Sequence, residues 1–290
     1  MPIINLIAAP GGLERPLVEN LRNAWGGGEV VWLSDAQAAE FGMPATPDNL
    51  GHVRAELDLL GIDLNQVPEA GRRKRLLLAD MDSTMIEQEC IDELADEAGV
   101  GAQVAEITAR AMNGELNFEE ALRDRVALLK DLQADVIGQV LESRITERAG
   151  GRTLVATMKA NGAYSALVSG GFTAFASSVA ASLGFDEARA NTLAENSGRL
   201  TGEVVPPILG RDAKVSALLE LTERHGITPG DAMAIGDGAN DLGMLDLAGM
   251  GVAVHAKPSV AQACDLRIHH GDLTALLFLQ GYAASDFAPG

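Results

Sequence analysis

Two aspartates separated by a single residue, Asp80 and Asp82, close the apolar run RLLLADMDST. Side chains alternate along a strand, so both carboxylates face one side where that run ends. A pair placed this way can supply a nucleophile and an acid beside a metal ion. Further on, VSGGF at 168–172 offers the Ser169 hydroxyl and the Gly170 N–H just ahead of a helix, the arrangement that seats an anion such as phosphate. A serine-hydrolase elbow would need glycine where Leu167 stands, so Ser169 does not read as a nucleophile. Lys214 in GRDAKV adds a cation, and GDGAND at 236–241 adds the oxygen donors Asp237, Asn240 and Asp241. Hard oxygen donors completed by phosphate and water favour Mg²⁺.

The elements that must position these residues follow from hydropathy. Leu76 to Ala79 reads as a strand buried on both faces, and open α/β sheets bind ligands at the carboxyl ends of such strands. Ser165–Ser169, Ala232–Gly236 and Gly251–His255 read as further short strands, each leading to a loop or helix. The expected fold is α/β, a Rossmann-like, mainly parallel sheet with helices on both faces. Between Ile86 and Arg148 the chain reads as helix without an intervening strand, with Leu116, Ala121, Leu122, Val126, Leu128 and Leu129 on its apolar positions. ANTLAENSGRLTGEVV at 190–205 reads as a β-hairpin turning at Asn196-Ser197-Gly198.

The first 72 residues have their own pattern: a strand at Ile3–Ala8, a helix at Leu13–Trp25, a strand at Glu29–Leu33 and a helix near Asn49–Leu60. Gly26–Gly28 lacks the Lys-Ser/Thr ending of a phosphate loop. GRRKR at 71–75 reads as a solvated linker, which places a boundary near 72 between a small N-terminal α+β domain and a catalytic unit over 73–290.

With 22 basic against 41 acidic residues the net charge is -19, which opposes nucleic-acid binding and attachment to anionic membranes. An anionic substrate must then be attracted locally, by a metal or a few basic side chains. Two cysteines build no disulfide framework, and Met1–Gly12 does not resemble a secretory leader, so the expected compartment is a reducing cytoplasm. The uncharged stretch Asn161–Phe185 is glycine- and serine-rich and reads as a β-turn-α unit, not a membrane span. Cys90 is expected to pack in the first helix of the insert. His269 and His270 are adjacent, and on a strand their rings would point apart, which favours solvent or core roles over a metal pair.

DMDST, Ser169, Lys214 and GDGAND, in this order, resemble the haloacid dehalogenase superfamily. The insert sharpens the likeness: DMDSTMIEQECIDELA and MNGELNFEEALRDRVALL resemble its phosphoserine phosphatase branch, over about residues 73–272. The resemblance implies that 86–148 is a helical cap inserted after the first core strand, with Glu89, Met112, Phe118 and Arg125 facing substrate. It implies Asp80 as nucleophile, Asp82 as general acid and base, and Ser169, Gly170, Lys214 and Asn240 as substrate-holding groups. Mg²⁺ would lie on Asp80, the Asp82 backbone carbonyl and Asp237, with Asp241 behind them. The implied reaction is Mg²⁺-dependent hydrolysis of O-phospho-L-serine through an aspartyl-phosphate, the last step of serine biosynthesis, by a cytoplasmic monomer or homodimer. Phosphotransfer to an alcohol such as homoserine is the alternative on the same scaffold. A regulatory amino-acid-binding protein is the alternative from another class. Residues 1–72 resemble the regulatory-type α+β domains attached to some bacterial members.

Overall fold

The computed structural model describes residues 1–112 and 115–290, with side chains for 1–111 and 115–290. Met112, expected to face substrate, therefore lies outside the described side chains.

The N-terminal sheet is antiparallel, in the order β2-β3-β1-β4, and joins β1 (Pro2–Ala8), β2 (Val30–Ser34), β3 (Ala38–Gly42) and β4 (Ile62–Pro68). Helices α1 (Arg15–Trp25) and α2 (Leu50–Asp58) belong to the same unit. Strand alternation sorts β1 between two cores. Ile4, Leu6 and Ala8 pack with Leu13, Val18 and Leu57, whereas Ile3 and Ile7 join the core of the larger sheet. Between Ile3 and Ile7, Asn5 donates to the Phe278 carbonyl at 3.2 Å, and its register partner Asn65 exchanges two hydrogen bonds with the Arg267 backbone. The unit is docked on the rest of the chain, not tethered beside it.

GRRKR corrects the expectation of a solvated linker. Arg72 makes a two-pronged contact with Glu40, both bonds 2.7 Å. Arg73 lies over the Tyr282 ring, and the buried Lys74 donates to the carbonyls of Gly71 and Gly230. Lysine and arginine stems cover apolar surface while their heads find partners, so a basic run need not mean open water.

The larger sheet has seven strands in the order β11-β10-β9-β5-β6-β7-β8. Its strands are β5 (Leu76–Ala79), β6 (Tyr164–Phe172), β7 (Glu187–Asn196), β8 (Arg199–Val205), β9 (Ala232–Gly236), β10 (Met250–Val254) and β11 (Leu266–Ile268). All neighbours are parallel except the β7–β8 hairpin, which turns at Ser197-Gly198 as expected. Between β5 and β6, among the described residues, lie four cap helices, α3 (Cys90–Glu97), α4 (Gly101–Met112), α5 (Phe118–Ala127) and α6 (Val136–Ser143), then α7 (Gly151–Ala160). An isolated bridge between Ile86 and Glu147 closes the base of the cap. The remaining helices are α8 (Thr173–Leu183), α9 (Arg211–Arg224), α10 (Leu242–Leu247), α11 (Pro258–Ala263) and α12 (Ala275–Leu279). β5 is buried throughout because its two faces serve two cores: Leu77 and Ala79 face one, Leu76 and Leu78 the other. Truncating such a buried leucine to alanine typically costs about 2–5 kcal/mol.

Candidate active site

β5 is the strand at which the chain changes direction across the sheet. β6 pairs on one side of it and β9 on the other, with Ala79 level with Leu167 and with Ile235. Such a switch point leaves a crevice beyond the strand ends, and one to three residues past that level come Asp80, Asp82, Ser169 and Asp237.

Lys214, from the first turn of α9, places Nζ 2.6 Å from Asp80 Oδ1 and 2.6 Å from Asp241 Oδ1. Asp241 stands just before α10, and the Gly238 N–H donates to its second oxygen at 3.0 Å. Asp237 accepts from the Thr84 hydroxyl at 3.1 Å. Asp82 Oδ2 accepts from the Ser169 hydroxyl at 3.0 Å, and its Oδ1 accepts from the Cys90 N–H at 2.9 Å. That N–H opens α3, so the cap helix presents its positive end to Asp82. Ser169 in turn accepts from the Gly171 N–H at 2.8 Å.

The electrostatics are those of crowded buried charge. Burial, then the neighbouring Asp241, pushes the Asp80 carboxyl well above its usual range, although Lys214 pulls the other way. Asp237 is raised by the same two causes. Burial opposes the charge on Lys214, but Asp80 and Asp241 outweigh it and its pKa rises. Asp80, Asp237 and Asp241 meet one ammonium in direct contact, Lys214, with Lys257 acting on Asp237 from further off, so negative charge is in excess, and the three carboxylates each bring an oxygen within 4.8 Å of the others. This donor set fits a hard divalent cation that would relieve the repulsion.

Above this floor the cap supplies opposite charges. Glu89, at the solvent-reached mouth, is pushed up to about 7 by burial among cleft atoms and then by Asp82, while the Ser83 hydroxyl at 2.7 Å works against the rise. Arg125 is lowered by burial but faces Asp92, Glu89 and Asp82, and its Nε is fixed by the Ala121 carbonyl at 3.1 Å. Phe118 begins α5 and sets its ring against two glycines of the core. A Cβ at Gly170 would come 3.0 Å from that ring and one at Gly210 3.1 Å, so any larger residue would push the ring outward by a few tenths of an ångström. Asn240 precedes Asp241 in the β9–α10 turn and folds back over Gly238.

The expected residues are thus brought to one sheet edge and the cap above it, apart from Met112. The sequence did not single out Thr84, Asp92 or Arg148. Thr84 carried a signal, since it continues the alternate spacing of Asp80 and Asp82. Arg148 carried none: its guanidinium donates to the carbonyls of Ser83 and Thr84 across the base of the cap. The two histidines correct another expectation. They lie past the end of β11, and both rings turn to the same oxygen of Asp58.

Comparison with known proteins gives the chain a family. The haloacid dehalogenase-like hydrolase family matches residues 77–246. A phosphoserine phosphatase of Archaeoglobus fulgidus is 42% identical over 226 residues, covering 77% of this chain and 65% of that relative's length. The chain thus spans just under two thirds of that relative. Among solved structures, a HAD family hydrolase from Salmonella enterica serovar Typhi superimposes with a TM-score of 0.87 at 30% identity, covering 96% of this chain and 98% of the other. A phospho-aspartyl intermediate analogue of a phosphoserine phosphatase aligns with a TM-score of 0.66 at 41% identity, over 71% of this chain and 98% of that one. The family match runs from β5 through the cap to α10, and the chain belongs to the haloacid dehalogenase-like hydrolases.

Proposed function

We propose that this chain is a Mg²⁺-dependent phosphoserine phosphatase that releases L-serine and phosphate. The observation that carries the reading is the pairing of a buried Asp80–Lys214–Asp241–Asp237 floor with a cap that turns Arg125 and Glu89 over it. Phosphoserine needs both halves: a seat for its phosphate, and opposite charges for its carboxylate and ammonium. Arg125 offers a planar donor fork to the carboxylate and Glu89 an acceptor to the ammonium. Phe118, against the phosphate-side glycines, excludes water. The related phosphoserine phosphatases and the phospho-aspartyl analogue support the same reading.

In this reading an Asp80 oxygen attacks phosphorus in line, the bond from phosphorus to the serine oxygen breaks, and Asp82 gives that oxygen a proton. Water then attacks the aspartyl-phosphate, Asp82 takes back a proton, and phosphate leaves with Asp80 restored. Ser169, the Gly170 N–H and Lys214 hold the transferring oxygens, and Asn240 the edge of the seat. Asp80, the Asp82 backbone carbonyl and Asp237 would hold Mg²⁺, with Asp241 behind them. The ion supplies charge that lets a carboxylate approach a phosphate dianion. We assign residues 1–72 to a regulatory-type domain docked on the catalytic unit, and the enzyme to the cytoplasm. Among the described residues no helix is long and apolar enough to cross a membrane.

Asp80→Asn tests the assignment, because the amide keeps the shape and removes the nucleophilic charge. Acid quench after mixing with phosphate-labelled phosphoserine should trap labelled wild-type protein and leave the variant unlabelled, with turnover at background. Equal label on both would refute Asp80 as the attacking group.

A further inference from the structure

A second group with metal-ligand chemistry lies some distance in sequence from the catalytic residues, where the N-terminal unit meets the larger sheet. Asp58 closes α2, and His269 and His270 follow β11. Asp58 Oδ1 lies 3.0 Å from His269 Nδ1 and 2.9 Å from His270 Nε2, and one donor atom from each residue falls within 4.8 Å of the others. Adjacent residues rarely aim at one point, and here a specific clamp makes them do so. The buried Asp63 carboxylate accepts the backbone N–H groups of His269 at 2.7 Å, His270 at 3.0 Å and Gly271 at 3.0 Å. The turn so fixed sets the two rings at 77° to each other, both facing Asp58.

The group is also reachable. The side chains of His269, His270 and Asp58 keep 27%, 33% and 43% of their surface in solvent. Asp58 and His269 line a cavity of about 710 Å³ together with His255 and Arg267. Two imidazole nitrogens and one carboxylate oxygen with an open side form the three-ligand set of zinc sites that keep a fourth position for water or an anion. Bonds of about 2.0–2.1 Å to such an ion would set the ligand atoms roughly 3.3 Å apart in a tetrahedron. The two nitrogen–oxygen spacings, 3.0 and 2.9 Å, need an outward shift of only a few tenths of an ångström, and the two nitrogens lie within 4.8 Å of each other on part-exposed side chains that can adjust.

We infer that Asp58, His269 and His270 form a binding site for a divalent transition-metal ion, best matched by Zn²⁺, that joins the N-terminal unit to the larger sheet. Imidazole donors distinguish this site from the all-oxygen cluster at Asp80, which suits Mg²⁺. The ion would cross-link segments more than two hundred residues apart in sequence, and a ligand that binds only the folded state raises the melting temperature.

The test uses the untagged full chain in millimolar Mg²⁺, so that the oxygen cluster is occupied. Zn²⁺ titrated against a chromophoric chelator should bind at one equivalent and raise the melting temperature, and Cu²⁺ in its place should show nitrogen hyperfine coupling by electron paramagnetic resonance. Asp58→Ala and the double variant His269→Gln/His270→Gln should weaken Zn²⁺ at least tenfold and lose the coupling, with Mg²⁺-dependent turnover unchanged. Because the His270 ring is part-exposed, His270→Gln alone carries the test should the double variant fold poorly. Failure of the wild type to hold Zn²⁺, or equal retention by the variants, would show a hydrogen-bonded histidine–aspartate cluster only and overturn the site.

Discussion

Arg125 and Glu89 bring opposite charges to a cleft whose floor is dominated by carboxylates, and neither touches the Asp80–Lys214 pair. Their contribution should therefore separate from the chemistry. Arg125→Ala should reduce kcat/KM for phosphoserine by about 2–5 kcal/mol, the cost of leaving a desolvated carboxylate unpaired. Glu89→Gln should act in the same direction through the ammonium. With p-nitrophenyl phosphate, which lacks both groups, the two variants should stay close to wild type, and an equal drop on both substrates would place these residues in the fold or the catalytic machinery instead. Glu89 also predicts a pH dependence. Its carboxyl is raised to about 7, so the anion that pairs with ammonium dominates above that value and is lost as pH falls through it. The substrate phosphate titrates near 6 for every variant, so the ratio of wild-type to Glu89→Gln kcat/KM isolates the group. That ratio should rise through about pH 7 and then level off; a flat ratio from pH 5 to 9 would contradict the shift.

At the scale of elements, the β9–α10 turn is where backbone and chemistry meet most closely. A Cβ at Gly236 would fall 2.5 Å from Asp241 Oδ2, and Asp241 is fully buried, so the side chain has little room to retreat. Gly236→Ala should push Asp241 off Lys214 and spoil the oxygen cluster while leaving the sheet formed. The Mg²⁺ concentration for half-maximal turnover should rise at least tenfold with an unchanged far-UV circular dichroism spectrum. Unchanged Mg²⁺ dependence would show that the turn yields without cost. The same turn illustrates what a sequence discloses. Asp80, Ser169 and Asp237 were legible because each ends an apolar run, and parallel strands bring their carboxyl ends to one edge. β3 and β4 were not. Glu40 interrupts one strand, and Asp63 and Asn65 give the other the alternation of a water-facing surface, yet all three face protein partners. β11 has three residues, too few for periodicity to register. Partners fixed only by topology, such as Arg148 on Ser83 or the Cys90 N–H on Asp82, have no local signature.

Across the whole molecule the two sheets share a core, and that sets how independent residues 1–72 can be. The catalytic carboxylates, Lys214 and the cap all lie beyond residue 79, so a chain starting at Arg73 keeps the chemistry. It loses Ile3, Ile7, Leu33, Ala38 and Val67 from the main core, the Asn5 and Asn65 bonds to the backbone, and the Asp63 clamp on the histidine turn. Burying an isoleucine or valine contributes about 1.5–3 kcal/mol, so three such side chains amount to several kcal/mol. In a chain of this size each kcal/mol moves the melting temperature by about 2–4 °C. The truncated protein should melt roughly 10 °C or more below the full chain, associate through the uncovered apolar face despite its negative charge, and retain kcat for phosphoserine at low temperature. Differential scanning calorimetry with and without residues 1–72, followed by turnover measured well below the lower transition, decides this. Equal melting temperatures would mean that the docking contributes nothing to stability. A folded but inactive truncation would mean that the N-terminal sheet holds the β10–β11 edge, whose Lys257 N–H donates to the Asp237 carbonyl at 3.2 Å, in the position the carboxylates require.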